Sequence, residues 1–214
     1  MNNNSIQQRY LKLLANHGHP AELWPQWCDQ HKTEALRQLV AIGAILTQRT
    51  SWHNAHLALV NLKSADLLSL DRMADVQNLE TLTQAIKPAG FHTTKPRRLQ
   101  AFSRFVQEQD LTLEQMRNTP VDQLRPQLLD VYGIGPETAD TILLYALDLP
   151  SFVIDEYTRR FVAKYELADP TSSYDDLKQT FEAALPHRVE VYQNYHILII
   201  VDQKGKQHSL MAHL

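Results

Sequence analysis

The chain is poor in cysteine, has no excess of positive charge and contains no long apolar run. Cys28 is its only cysteine. That excludes an internal disulfide framework and a four-cysteine cluster, and it suits a reducing compartment. The formal net charge is −3 and the pI about 6.3, so this is no polycation that coats nucleic acid. Any hold on phosphates has to come from a local patch or from backbone donors. No apolar stretch approaches the roughly 18 residues of a membrane span, and the opening MNNNSIQQRY has no apolar leader core. An intracellular, soluble protein is expected, without repeats or low-complexity segments. With 43% hydrophobic and 21% charged residues over 214 positions, the composition is ordinary for one large domain or two lobes sharing a core.

What is present is organised around Leu128 to Phe161, LLDVYGIGPETADTILLYALDLPSFVIDEYTRRF. Apolar Leu128, Leu129 and Val131 lead into Gly133-Ile134-Gly135. Glycines there permit positive φ and leave backbone N–H groups uncovered by side chains. Pro136 follows at a favoured first helical position. Ala139, Ile142, Leu143, Ala146 and Leu147 then recur at the spacing of one helix face. The pattern predicts helix, tight turn, helix. Uncovered N–H groups at a helix start bind an anion such as a nucleic-acid phosphate; the plain alternative is an αα-corner whose glycines serve only the turn. Beyond Pro150, Asp155 opens a third helix carrying Tyr157, Phe161 and Tyr165. Taken alone, Asp155 is an N-cap worth about 1 kcal/mol.

The flanks read as further helices. Leu36, Leu39, Val40, Gly43 and Leu46 mark one from Thr33; Ala55, Ala58, Leu59 and Leu62 mark the next. Trp24 reads first as a core anchor, with a pocket wall as the alternative. His53 and His56 have a metal-like spacing, but no acid or thiolate completes a site, and both read as surface residues. Between His92 and Val106 stand Lys95, Arg97, Arg98 and Arg104 with no acid. A solvated helix face mixes signs, so this excess points to phosphate contact. Ser173 with Asp176 reads as a cap opening a helix with Leu177, Phe181 and Leu185 buried. The tail from Tyr192 to Val201 passes for a strand on propensity alone.

Val153 to Arg160, VIDEYTRR, completes a larger pattern. The chain resembles the helix–hairpin–helix DNA glycosylases of the endonuclease III superfamily, whose hairpin L-x-G-(I/V)-G-x-x-T-A is followed at this distance by V-D-x-x-x-x-R. Val131, Gly133, Ile134, Gly135, Thr138, Ala139, Asp155 and Arg160 match it. The resemblance implies an all-α fold of two helical lobes with an active-site cleft between them. A six-helix, barrel-like lobe would span 29–147; residues 1–28 and 148–214 would form the other. The tail then becomes a helix beside the cleft, and Asp155 the catalytic aspartate. ILTQRTSW, Ile45–Trp52, resembles a segment whose glutamine faces DNA, a role that falls to Gln48; by itself Gln48 reads as a solvated helix end. IKPAGFHTTKPRRL, Ile86–Leu99, resembles one whose apolar residue wedges into the duplex, here Phe91. The rival reading packs Phe91 under its own loop. Pro96 departs from the alanine common there, though proline is tolerated in a helix's first turn.

The resemblance also carries the chemistry. Bifunctional members have a lysine two residues after the second hairpin glycine, and its amine forms a Schiff base with the sugar. Glu137 stands there, and a carboxylate cannot form an imine. The implied activity is monofunctional hydrolysis of an N-glycosidic bond, with Asp155 stabilising an oxocarbenium-like sugar. Trp24-Pro25, Trp52, Glu137 and I-D-x-Y at Ile154–Tyr157 resemble the 3-methyladenine DNA glycosylase III subgroup. By that resemblance Trp24, Pro25, Trp52 and Lys204 belong to a base pocket for an alkylated purine. A same-fold enzyme for a mismatched or oxidised base, and a non-catalytic DNA-binding module, are the alternatives. No iron–sulfur cluster is expected, since the tail lacks the family's cysteines. A monovalent cation on the carbonyls of Leu129, Val131 and Ile134 is implied. The expected partner is double-stranded DNA with a damaged base, met by a cytoplasmic, nucleoid-associated monomer without a membrane.

Overall fold

Side-chain oxygens placed just ahead of apolar runs start many of the helices. The computed structural model describes residues 3–75, 77 and 79–205, and among these there are helices and turns but no strand. Helix α1 (Asn3–His17) ends at Gly18, whose φ is +74°. A 3₁₀ turn, Pro20–Leu23, leads to the short α2 (Pro25–Cys28). Thr33 caps α3 (Glu34–Leu46) and Ser51 caps α4 (Trp52–Ser64), each accepting a backbone N–H three residues on. Two short helices follow, α5 (Leu70–Ala74) and α6 (Leu79–Ala85). Beyond a 3₁₀ turn at Lys87–Ala89 comes α7 (Lys95–Glu108). Pro96 lies in its first turn, where its missing N–H costs nothing. α8 (Leu113–Met116) opens on a capping box from Thr112 and Gln115.

The hairpin joins α9 (Val121–Asp130) to α10 (Pro136–Thr141), which continues as a π turn over Ile142–Ala146. α11 (Glu156–Lys164) starts at Asp155. α12 (Tyr174–Ala184) starts at Ser173, which accepts from Asp176 N–H at 3.1 Å. The tail is a helix, α13 (Val189–Lys204), and it is buried on every side from Val191 to Val201 except at Asn194. A helix without a wet face loses the periodicity that marks amphipathic ones, which is why its β-branched residues read locally as a strand. Among the described residues no helix is long and apolar enough to cross a membrane.

The fold has two lobes. In one, α3 packs on α4, α7, α8 and the π turn, with α5 against α7. In the other, α1 packs on α12 and α13, and α11 lies along α13. The two meet where α13 crosses the π turn. A buried charge cluster fixes the end of that turn. Arg37 of α3 donates to Ala146 O and to Asp148 Oδ2, both at 2.7 Å, while Lys32 reaches Asp148 Oδ1 at 2.7 Å. Breaking such a buried pair is far costlier than its net worth.

Lys95, expected at the DNA surface, lies in the core. It is fully buried, and its ammonium donates to Leu46 O at 2.7 Å and Ala89 O at 2.8 Å. It therefore ties the end of α3 to the turn before Phe91. Burial lowers its pKa from 10.5 to about 8, with Arg98 adding repulsion. The folded chain thus sheds this proton more readily than the unfolded one. The cost of keeping it charged is full below pH 8 and fades as pH climbs toward 10.5. Unfolding free energy is expected to rise from pH 8 toward 9, above which the buried Cys28 thiol, pushed up to about 12, and then the buried tyrosines oppose the trend. Lys95→Met should abolish the rise and, by orphaning two carbonyls, destabilise by about 1–3 kcal/mol. Denaturant titrations across the window check both.

Candidate active site

The segment from Pro150 to Asp155 is held at nearly every residue. Ser151 donates to Asp140 Oδ1, and Asp140, itself fully buried, takes Arg125 in a two-pronged pair at 2.9 and 3.1 Å. Phe152 N–H donates to Glu182 at 2.8 Å and Ile154 N–H to Tyr174 Oη at 3.2 Å. Asp155 then caps α11. Its Oδ1 accepts from Thr158 N at 2.7 Å and from Thr158 Oγ1 at 2.9 Å. Its Oδ2 lies 3.4 Å from His196 Nε2. Burial pushes the carboxyl pKa up, but the His196 and Thr158 contacts outweigh it and the net shift is downward. Asp155 is an anion in a largely dry place, with a side chain 14% exposed.

That carboxylate opens on a cavity of about 180 Å³, below the ~300–1,000 Å³ of drug-sized sites and suited to one flat heterocycle. Both lobes wall it. Trp24 and Trp27 come from the α2 region, Thr47, Thr50 and Trp52 from the α3–α4 junction, Glu137 and Thr141 from α10, Tyr157 from α11, and His196, Ile200 and Lys204 from α13. Trp27 touches both other indoles edge-on, at 5.7 Å from Trp24 and 5.6 Å from Trp52. Gly43 lets it in, since a Cβ there would sit 3.1 Å from its ring. Pro25, expected in the pocket, is not in the cavity wall; it begins α2 and so sets the turn between Trp24 and Trp27. Lys204 Nζ lies 4.6 Å from the Tyr157 ring centroid. Glu137 has its pKa raised by loss of water in the cleft and by the nearby Asp155 charge.

The hairpin side corrects several expectations. Gly133 uses positive φ, +81°, but Gly135 is extended and serves as the N-cap of α10, with open space where a Cβ would be. Gln48 does not face outward. Its amide donates to Gly133 O at 3.0 Å and to Thr138 Oγ1 at 2.9 Å, and it accepts from Arg98. Gln48, Thr138 and Arg98 thus bind one another across α3, α7 and the hairpin, and Thr138 is buried. Arg97 and Arg104 are exposed. Arg160 is exposed on α11 and pairs with Glu156 at 2.9 Å. Phe91 is 48% exposed at φ +53°, a conformation strained for a bulky residue, after Gly90. It projects outward rather than packing beneath its loop. Val131 and Ile134 are buried, Leu129 partly so, and Val131 O accepts from Ile134 N at 3.0 Å. His56 is not a free surface group, since it is half-buried against Trp52.

Residues 42–187 match the family described as HhH-GPD superfamily base excision DNA repair protein. The chain belongs to that superfamily. It is 41% identical over 197 residues to a protein of Methanocaldococcus jannaschii provisionally named a DNA repair glycosylase, covering 91% of this chain and 85% of that one. Identity to endonuclease III of Sulfolobus acidocaldarius is 25% over 164 residues, covering 76% of this chain and 71% of that one. The crystal structure of H. pylori 3-methyladenine DNA glycosylase (MagIII) bound to 1,N6-ethenoadenine matches with a TM-score of 0.71 and 28% identity, over 95% of this chain and 96% of that one. A non-covalent endonuclease III–DNA complex matches with a TM-score of 0.68 over 94% and 85%, and at 18% identity it bears on the fold alone. The protein is a DNA glycosylase of a base excision repair family, and DNA is its partner.

Among the residues of this glycosylase's site that escaped the sequence reading are Trp27, Tyr145 and His196. His196 and Tyr145 sit within apolar runs, where a polar group among aliphatic neighbours was the available signal. At the hairpin the geometry makes a sharp prediction. Gly133→Ala places a Cβ 2.3 Å from Arg98 Cγ at a φ that disfavours it. Arg98 has to leave Gln48, and DNA affinity should fall about tenfold with a loss of about 1–3 kcal/mol in stability. Fluorescence anisotropy and thermal melting check this, and Gly135→Ala, which meets no atom, should cost far less stability.

Proposed function

We propose that the protein is a monofunctional DNA glycosylase that removes alkylated, cationic purines of the 3-methyladenine type. One observation carries the reading: the cavity combines indole and phenol rings with two carboxylates, Glu137 and Asp155. Aromatic faces and negative charge together favour a positively charged heterocycle over a neutral one. A base that already carries a positive charge leaves readily, so little acid catalysis is required. As the bond breaks, Asp155 faces the positive charge that develops on the sugar, in a site dry enough for that attraction to be strong. Its Oδ2 is also placed to take a proton from an attacking water.

The hairpin N–H groups of Gly133 and Gly135 would grip the strand, with Phe91 as the wedge that keeps the base out of the stack. The carbonyls of Leu129, Val131 and Ile134 would hold a monovalent cation beneath it. An all-oxygen set suits a hard ion, and Val131 O keeps a second lone pair for it. A second reading, release of a neutral base, draws on Glu137. Its raised pKa fits it to protonate a leaving base.

The test uses duplexes holding 3-methyladenine, uracil, 8-oxoguanine or a mismatch, each followed by treatment with or without alkali. Wild type should release the alkylated base and break strands only after alkali. Asn caps a helix as well as Asp, so Asp155→Asn should melt within about 0.5 kcal/mol of wild type while base release falls at least a hundredfold, the scale set by removing one preorganised charge partner. Strand breaks without alkali that disappear in Lys204→Met would overturn the monofunctional reading, because Lys204 is the amine in the cavity wall.

A further inference from the structure

The two oxygens of Asp155 have different surroundings. Oδ1 is filled by Thr158, whereas Oδ2 faces His196 Nε2 at 3.4 Å. On the far side of the imidazole, Nδ1 lies 2.8 Å from the Tyr145 hydroxyl. Tyr145 is fully buried and His196 is 4% exposed. The π turn brings Tyr145 there, with Leu147 N–H reaching back to Ile142 O; single π turns recur at functional sites. Trp24 closes one side of the ring, edge-on at 5.8 Å.

Proton placement follows from these partners. A buried phenol keeps its proton, because burial raises its pKa well above the ordinary value, and it needs an acceptor. The acceptor it meets is Nδ1. A neutral imidazole that accepts at Nδ1 carries its own proton on Nε2, and Nε2 points to Oδ2. The opposite tautomer would set a lone pair against a carboxylate. We propose that Tyr145 and His196 are positioning residues for Asp155: the tyrosine hydroxyl selects the histidine tautomer, and the histidine Nε2–H holds Oδ2 toward the cavity. At 3.4 Å the contact is longer than a hydrogen bond, as catalytic contacts in free enzymes commonly are before substrate tightens them. Glu137 of α10 lines the same cavity as Asp155 and His196, so a second carboxylate makes the tautomer matter more.

The kinetic part rests on Asp155 being the catalytic carboxylate, whereas the tautomer is readable without substrate. Heteronuclear NMR of isotope-labelled protein, with His196 assigned through His196→Gln, should place the proton on Nε2 in wild type and show a tautomer mixture in Tyr145→Phe. A wild-type proton on Nδ1 overturns the proposal. In single-turnover base release, Tyr145→Phe should lose roughly ten- to a hundredfold in rate with unchanged DNA affinity and a folded melting profile. His196→Gln puts an amide N–H near the Nε2 position with no tautomer to choose. Whatever rate this variant retains, Tyr145→Phe should add no further loss to it. An equal loss from Tyr145→Phe in both backgrounds, or none in either, overturns the proposal. If wild type releases no base from any duplex, the proposed function fails and the NMR result alone decides the tautomer.

Discussion

One residue, Thr158, gives two donors to one oxygen of Asp155, and the site's chemistry depends on that. A carboxylate this far from water is unfavourable by itself and drifts toward protonation. His196 beside the other oxygen, and then the Thr158 N–H and hydroxyl, keep it ionised. The same bonds cap α11, so the helix start and the reactive charge are one structure. The segment leading to it has no regular hydrogen bonding of its own, and Ser151, Phe152 and Ile154 each borrow a partner from α10 or α12. Through Asp140 and Arg125 the loop is tied back to α10 and α9, the two helices of the hairpin.

A second set of polar contacts joins the end of α3, the Phe91 turn and the hairpin. Lys95 holds the end of α3 to the turn before Phe91. Gln48 and Arg98 lie across the hairpin at Gly133. These residues carry the types expected of a nucleic-acid surface, yet in the free protein they spend their hydrogen bonds on one another. The Phe91 turn, the hairpin and the α3–α4 junction are thus cross-linked in the free protein, which lowers the ordering cost of any ligand that spans them.

Much of this was legible residue by residue. Local rules sufficed for the Asp155 and Ser173 caps, for a helix beginning at Thr33 and for Pro96 in the first turn of α7. They also sufficed for the hairpin, because caps and turns depend on neighbours a few positions away. The α13 tail was harder, since burial on all sides erased its amphipathic signal. The basic run after His92 misled for a different reason. Its charges look alike in one dimension, but helix geometry sends Lys95 inward, Arg98 to the hairpin and Arg97 to solvent.

The sequence by itself determined the helices, the hairpin and the Asp155 carboxylate at the head of α11, because each rests on short-range hydrogen bonding or on a motif read in order. Only the tertiary structure decided what surrounds that carboxylate. Trp27 between two indoles, Glu137 across the cleft, and the line from Tyr145 through His196 to Asp155 join residues far apart in the chain. Their meeting depends on how α13 packs against a π turn. Packing of that kind is set by the shapes and volumes of whole faces, which no local pattern encodes.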